Sequence, residues 1–524
     1  MSRRLSTGWR RRRGETGADW SSEQSWVGDW LDREAQDRMV EIDLETMLPY
    51  DQTRAYEYSK LYVATDPGTG FSEDCVVCFR LERRDGPQRI RLVLPTEIAD
   101  ARRVRLRLDP FPFCTGRHRV ASAGFVASSD TDAAATRHAE LVDLKQRVRR
   151  QVVESEREGV GECSHLPESL SLEITPRCNL TCGHCSSHGT PELHRRHNQM
   201  ADFDATTLER VADELFPSLT GVTLVGRGEP LLAADAVWNA LVDALRRHDV
   251  LLRFVTNGTL LSRRLTPELM PLLDTVTVSI DGNSDETMRA NRGGVRLEHV
   301  LDGVRHFDRL RREANVARRP RLGLSWTLKR NNIHELPDFI ERMAEFEPDL
   351  FYSRHLLIFF EKDREESLVG EPALANRYLR PAYEALERLG IRSDCPPLMD
   401  GDERSGDARD SDAAVPERDG CPFVRRTAVI HSNGDMPTCS VPFAAIAGNL
   451  AAGDTVETVW NGPVMTGVRN AMDTADEWDQ CRACWYREGH YVSQRAAAAN
   501  QERFDLEAAS SFTEDAWDFR DYEK

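Results

Sequence analysis

The sequence predicts an α/β protein in which a partial parallel barrel of six β–α units lies between an all-β N-terminal segment and a cysteine-bearing C-terminal segment. Three observations predict it. From Leu170 to Phe360, β-type runs alternate with amphipathic helical stretches, the pattern of a parallel α/β fold. From Tyr58 to Val126, short runs alternate apolar and charged residues, as half-buried strands do. Seven of the twelve cysteines fall into two sets with ligand-like spacing, and clustered cysteines in a reducing compartment are more often metal ligands than bridges.

The elements follow in chain order. Residues 1–56 read as a polar leader, partly disordered and partly helical, with Trp9, Trp20, Trp26 and Trp30 at no clear period. Its basic N-terminus has no apolar stretch behind it, so it fails as a secretory signal and a cytoplasmic location is expected. Residues 57–127 contain LYVA, CVVCFRLE, RIRLVLP, RVRLRLD and HRVASAGFVA with turn residues between them, and predict a small β-sandwich-like domain. Cys75 and Cys78 stand three apart on a predicted strand and so point to opposite faces, as packing cysteines rather than a metal pair. Residues 128–165 predict a helical linker, because Leu141, Leu144, Val148 and Val152 form one apolar stripe.

The barrel is expected over 166–360, with strands in LSLEI, GVTLVG, LLRFVTNG, TVTVSIDG, RLGLSWTL and LFYSRHLLIFF. Chemistry then belongs in the loops at the C-terminal ends of these strands. Residues 361–420 read as a helical segment followed by a flexible, acidic, Gly-rich loop. A cysteine-bearing domain is expected over 421–490 and an acidic tail over 491–524. The formal net charge of −18 argues against nucleic acid as a general partner, and no apolar run of about 18 residues predicts a membrane span.

Directly after the first barrel strand comes TPRCNLTCGHC, placing Cys178, Cys182 and Cys185 in one tight loop. A cubane iron–sulfur cluster normally takes four thiolates, so three leave one iron open for a substrate or cofactor. A zinc site completed by His184 or His188 is the other reading of these residues. Further motifs follow the next strands: Gly226, Gly228, Glu229 and Pro230 in GRGEP, Thr256-Asn257-Gly258, Ser279 and Asp281 in VSIDG, and Arg292-Gly293 in NRGG. Glycines in such turns let a ligand approach the backbone, and Ser279 and Asp281, two apart, share one face.

Taken in that order, these residues resemble the radical S-adenosylmethionine (SAM) superfamily over about residues 168–360. The resemblance implies a partial (β/α)6 radical SAM barrel with a [4Fe–4S] cluster on Cys178, Cys182 and Cys185, its open iron binding SAM. It further implies SAM contacts from Gly226, Gly228, Glu229, Asn257, Ser279, Asp281 and Arg292, the last toward the SAM carboxylate. A reductant such as flavodoxin or ferredoxin is the implied partner.

The second set is Cys421, Cys439, Cys481 and Cys484, complete enough for a cubane with no open iron, although zinc accepts four thiolates as well. With Cys421-Pro422-Phe423, the Asn433-Gly434-Asp435 turn and Gly448-Asn449, the segment resembles the SPASM/twitch extension of radical SAM enzymes. That implies one auxiliary [4Fe–4S] cluster, able to accept an electron from a substrate radical. Cys395 reads as a structural thiol.

Gly68, Gly70, Phe71, Ser72, Glu73 and Arg107-Leu108-Asp109-Pro110 resemble a β-sandwich segment attached to some bacterial glycan glycosyltransferases and methyltransferases. The expected function is therefore hydrogen abstraction from a carbohydrate or glycan-related metabolite, leading to oxidation or epimerisation. The alternatives are a peptide maturase, since many SPASM-type enzymes modify ribosomally made peptides, and a non-catalytic iron–sulfur carrier or sensor. No catalytic residue is assigned, although Trp326, Lys329, Arg354, His355 and Glu361 lie near strand ends that could face the barrel.

Overall fold

The computed structural model describes residues 10–11, 26–32, 39–47, 59–65, 71, 75–79, 86–94, 98, 101–109, 117–126, 132–314, 319–368, 370–396, 398–399, 421–441, 444–472, 474, 476–482 and 484. The acidic loop and the C-terminal tail expected from the sequence lie outside them. The chain divides into two compact units, Met1–Arg150 with Ala314–Arg319, and Gln151–Glu313 with Pro320–Lys524.

The first unit carries two antiparallel sheets. One runs in the order Arg10–Arg11, Trp26–Asp32, Arg103–Asp109, Ser59–Ala64, Val76–Phe79; the other in the order Gly86–Val93, Met39–Met47, Arg117–Val126. Their inner faces meet in one core of Leu31, Val40, Ile42, Leu44, Leu61, Val63, Leu106 and Phe125 among others, with Cys75 partly buried against it. Three of the strands, Arg10–Arg11, Trp26–Asp32 and Met39–Met47, come from the stretch expected to be a polar leader. The physical reason is strict alternation. In Met39–Met47 the buried Val40, Ile42 and Leu44 interleave with acidic Glu41, Asp43 and Glu45, so the run reads as polar on average while presenting one apolar face. The expected linker is a single helix, Asp132–Glu158.

The second unit is built on an all-parallel sheet of eight strands. In chain order these are β1 (Ser169–Leu172), β2 (Gly221–Leu224), β3 (Leu251–Thr256), β4 (Leu273–Ser279), β5 (Arg321–Leu328), β6 (Leu350–His355), β7 (Arg392–Asp394) and β8 (Thr427–Ile430). Their spatial order is β7-β6-β5-β4-β3-β2-β1-β8. Six are the expected barrel strands. The last, β8, comes from the second cysteine segment and pairs in parallel with β1, Thr427 opposite Ser169 and Ile430 opposite Leu172.

Side chains alternate between the helix layer and the inner face. On β5, Leu322, Leu324, Trp326 and Leu328 are buried toward the helices, where the Trp326 ring lies 4.7 Å from Phe339 of the helix Leu336–Met343. On the inner face, Ser325 Oγ donates to Ser279 Oγ at 3.0 Å, and a Cβ on Gly323 would sit 2.7 Å from Thr277 Oγ1. The helix Ala205–Leu215 shows why the helix layer forms. Asp204 caps it by accepting from the Thr207 amide at 2.8 Å, and Leu208, Val211, Ala212 and Leu215 bury one stripe. Each large apolar side chain so buried contributes about 1.5–3 kcal/mol. The N-terminal strand ends are closed by Asp274, which accepts from Arg253 Nε at 2.6 Å and from Arg321 at 3.0 Å. Chemistry is left to the C-terminal ends.

Candidate cluster and cofactor site

The loop after β1 is braced before it reaches its first cysteine. Arg177 holds Asp202 in a two-pronged pair, Nε at 2.9 Å and the terminal nitrogen at 2.6 Å, and the Thr175 hydroxyl donates to the same carboxylate at 2.6 Å. Asp202 in turn accepts from the Ala234 amide at 2.7 Å, which ties the loop to the chain beyond β2. Cys182 is buried and Cys178 and Cys185 are half-buried. Burial pushes the Cys178 thiol up to about 12, and Glu229, Cys182 and Cys185 push the same way, against a weak donor at the Leu180 amide. The three cysteines of the loop thus lie near enough to act on one another's charge. Among the described residues no set of three His, Cys, Asp or Glu side chains is poised around one point for a single metal ion. A cubane asks for a different arrangement, one thiolate per iron.

The GRGEP turn packs onto this loop from behind. A Cβ on Gly228 would overlap the carbonyl oxygens of Thr175 and Arg177, and one on Gly226 would meet the Glu173 side chain at 2.7 Å. Both glycines thus let the turn lie against the chain itself. Glu173, at the end of β1, accepts from the Arg227 amide at 2.7 Å and from its guanidinium at 2.5 and 2.9 Å, and also from the Ser432 hydroxyl at 2.8 Å. One carboxylate so links both cysteine segments.

Glu229 is fully buried. Its carboxylate accepts from Thr256 Oγ1 at 2.7 Å, the Asn257 amide at 2.8 Å and the Leu231 amide at 3.2 Å. Both oxygens are thereby committed to holding the TNG segment against the GRGEP turn. Asn257 in turn donates through Nδ2 to Asn179 of the cysteine loop at 2.9 Å, and Asn179 donates to Thr259 Oγ1 at 2.9 Å. Burial pushes Glu229 up to about 7, against the pull of its three donors. A carboxyl raised in the fold binds more protons there than in the unfolded chain, so its contribution to stability is present below the ordinary value near 4.5 and is lost as pH rises through about 7. Glu229→Gln, which cannot ionise, is therefore expected to lack this loss. The melting temperature of the variant apoprotein minus that of the wild type should rise between pH 5 and 8; a flat difference would refute it.

At the end of β4 the expected polar pair separates into two roles. Ser279 stays on the inner face beside Ser325, whereas Asp281 is completely buried. Asp281 accepts from the Thr327 amide at 2.6 Å through Oδ1, and its Oδ2 pairs with Arg292 Nε at 2.7 Å and lies 3.7 Å from His184 Nε2. Gly293 has φ +59°, and a Cβ there would stand 2.5 Å from the Thr181 amide, so NRGG is pressed onto the cysteine loop. Burial opposes the Arg292 charge, but Asp281 and then Cys182 hold it, leaving the guanidinium above its ordinary pKa. Burial pushes His184 down to about 3, Asp281 opposing, so its ring is neutral. Its Nδ1 is buried with no hydrogen-bond partner.

The second set also assembles. Cys439 and Cys481 are buried, Cys421 and Cys484 half-buried. Burial pushes Cys439 up to about 12, and Cys421, Cys484 and Cys481 add to the rise. Gln480, beside Cys481, donates to Thr438, beside Cys439, at 2.8 Å and accepts from the Ala445 amide at 2.9 Å, which sets the CxxC pair against the turn. Cys395 stands apart, next to Ser353 and Asp394 at the β6–β7 edge, where burial pushes it to about 12.

Of the residues considered for the substrate side, Trp326 faces the helix layer, and burial pushes His355 down to about 3. Arg354 pairs with Asp394 at 2.6 Å. Lys329 is buried and donates to Asn291 Oδ1 at 2.7 Å, close to Asp281. Glu361 is exposed. Sequence reasoning missed the supporting polar residues Glu173, Asn179, Asp202 and Asn291. Their only signal was an acid or amide standing inside or beside each motif.

Comparison with known proteins agrees with this geometry. The model of the radical SAM superfamily matches residues 172–343, and that of the SPASM iron–sulfur cluster-binding domain matches residues 421–485. The chain is 27% identical over 341 residues to mycofactocin maturase MftC of Mycobacterium ulcerans, covering 63% of this chain and 82% of that protein. It is 27% identical over 196 residues to the tungsten-containing aldehyde ferredoxin oxidoreductase cofactor-modifying protein of Pyrococcus furiosus, covering 36% of this chain and 51% of the other. Among solved structures, Streptococcus suis SuiB bound to S-adenosylmethionine is similar at 16% identity and a TM-score of 0.42, over 66% of this chain and 74% of that one. No helix among the described residues is long and apolar enough to cross a membrane. The chain thus carries a radical SAM domain over residues 172–343, a domain that takes a [4Fe–4S] cluster and SAM, and a SPASM domain over residues 421–485, a domain that takes auxiliary iron–sulfur.

Proposed function

We propose that this chain is a radical SAM maturase that removes a hydrogen atom from a carbon of a peptide substrate. The observation that carries the substrate class is the relative named mycofactocin maturase, which this chain matches over 82% of that protein's length. It favours the peptide reading over the carbohydrate expectation, which rests only on the resemblance of the front segment. In this reading Cys178, Cys182 and Cys185 hold the SAM-cleaving cluster, and Cys421, Cys439, Cys481 and Cys484 hold an auxiliary one.

A cluster held by Cys178, Cys182 and Cys185 would, when reduced, supply the electron for cleavage of SAM. The remaining roles belong to the chain. Glu229 locks the GRGEP turn to Asn257, so the backbone of both segments meets SAM in a fixed arrangement. Arg292, held by Asp281, keeps a cation beside Cys182 and the SAM carboxylate position. Ser279, on the inner face, offers a hydroxyl to the ribose side.

The test is anaerobic reconstitution with iron and sulfide, reduction in the presence of SAM, and chromatography for 5′-deoxyadenosine. Deuterated candidate substrates, peptides in one arm and sugar nucleotides in the other, then report by deuterium transfer into that product. Transfer from a peptide supports the reading; transfer from a sugar nucleotide alone overturns its substrate class. For the auxiliary set, Cys439→Ala is expected to lower iron content by about the four atoms of one cubane. It should preserve SAM cleavage while abolishing product formation. Full product formation by the iron-depleted variant would remove the electron-acceptor role.

A further inference from the structure

Behind the cysteine loop lies a group of side chains that none of the foregoing roles uses. His188 is 1% exposed, His197 is buried and His194 is half-buried; the last two sit on the helix Pro191–Asn198 together with Asn198. The helix is started by Thr190, which accepts from the Leu193 amide at 3.3 Å, and by Pro191 in its first turn. It therefore carries His194 and Asn198 four residues apart on one face.

The Pro176 carbonyl sets the direction of the first bonds in this group. His188 Nε2 lies 3.1 Å from the Pro176 carbonyl, and a carbonyl can only accept, so Nε2 carries the proton. Burial, the largest cause, pushes His188 down to about 4, so the ring is neutral and its Nδ1 accepts. The group 3.1 Å from that Nδ1 is His194 Nδ1, which must therefore donate. His194 Nε2 is then unprotonated, and Asn198 Nδ2 lies 2.9 Å from it and 3.3 Å from Nδ1, so the amide nitrogen rests against the imidazole ring. The same amide nitrogen donates to the Cys178 carbonyl at 3.2 Å, while Asn198 Oδ1 accepts from the Cys178 amide at 3.0 Å. His197 stays outside the chain of bonds, its Nδ1 3.0 Å from the Leu193 carbonyl and its ring 5.4 Å from that of His188.

We infer that His188, His194 and Asn198 form a relay of fixed tautomers that clamps the Pro176 carbonyl and both sides of the Cys178 peptide, making His194 and Asn198 positioning residues for the first thiolate of the cluster. The inference rests on the reading that Cys178 is a cluster ligand. Neither residue touches a sulfur in this arrangement. They act by holding the backbone on either side of Cys178, as the outer hydrogen bonds of a metal site orient its inner groups.

Two measurements test it on the full-length chain. In the apoprotein, nitrogen-15 spectra should show His188 protonated at Nε2 and His194 at Nδ1; the opposite tautomer at either ring overturns the relay whatever the cluster does. In the reconstituted protein, the SAM-induced change in the electron paramagnetic resonance of the reduced cluster reports on the open-iron site alone. Its decay under a chelator is expected to be about 10–100-fold faster in His194→Leu and in Asn198→Ala, the range found when outer partners of metal ligands are removed. His194→Gln, which keeps a donor and an acceptor, should restore most of the stability. A general folding defect would not be rescued so selectively. Wild-type decay in both His194→Leu and Asn198→Ala, with the signal lost in Cys178→Ala, would defeat the relay but leave the ligand assignment standing. A signal that survives intact in Cys178→Ala would defeat the assignment itself.

Discussion

Cys182→Ala is expected to reduce 5′-deoxyadenosine formation to background in protein that still folds. Cys182 is the buried member of its set, packed between the Thr181 backbone, which Gly293 approaches closely, and the Arg292 guanidinium. Removing its sulfur leaves two cysteines in the loop, too few to hold a cubane against loss. The helix layer and the sheet do not depend on that sulfur, so the melting transition of the apoprotein should stay close to that of the wild type. Cys75→Ser, in the first unit, is the matched control and should leave SAM cleavage intact. Undiminished 5′-deoxyadenosine from Cys182→Ala would sink the assignment of this loop.

Asp281→Ala should have the largest effect on stability. The Asp281 side chain is fully buried and the Arg292 side chain nearly so, and the 2.7 Å pair between them has no solvent to fall back on. Deleting the carboxylate strands a buried guanidinium and also removes the acceptor of the Thr327 amide. Breaking a buried pair in this one-sided way costs about 3–5 kcal/mol. The expected readout is a matching fall in the denaturant midpoint of the apoprotein. Asp281→Asn keeps an acceptor for Thr327 but not the charge, so it should fall between the two. A loss below about 1 kcal/mol in Asp281→Ala would show that Arg292 is not held by Asp281 in solution.

Most of the barrel was legible because its signals are local. A β-type run, a turn and an amphipathic stretch recur with a fixed texture, and the helix Ala205–Leu215 announces itself by Asp204 and four periodic apolar residues. The motif residues were legible for a related reason: most lie at or just beyond a strand end, where the topology converges. The leader was misjudged because Glu41, Asp43 and Glu45 mask an apolar face that only period-two reading reveals. Strand β8 was missed because its partner lies 258 residues away. No local pattern shows that Thr427 will sit beside Ser169. The roles of Glu229 and Asp281 changed for a similar reason. Sequence places a carboxylate at a strand end, but whether it faces a cofactor or a buried arginine depends on chain that arrives from elsewhere.

That distant pairing bears on how the protein is made. Until residues 427–430 have been synthesised, β1 has an open edge, and β1 is the strand that launches the cysteine loop. Contacts so far apart in sequence form slowly and late, because the intervening chain must be closed first. During synthesis the barrel therefore waits, with an unpaired strand exposed, for a segment about half the chain away. Such an edge is a site of mispairing between nascent molecules. Closing the sheet also brings Ser432 onto Glu173, which already grips the GRGEP turn. Pairing of β8 thus completes the frame of the first cysteine loop, so that a chain truncated before β8 would lack a finished site as well as an auxiliary one.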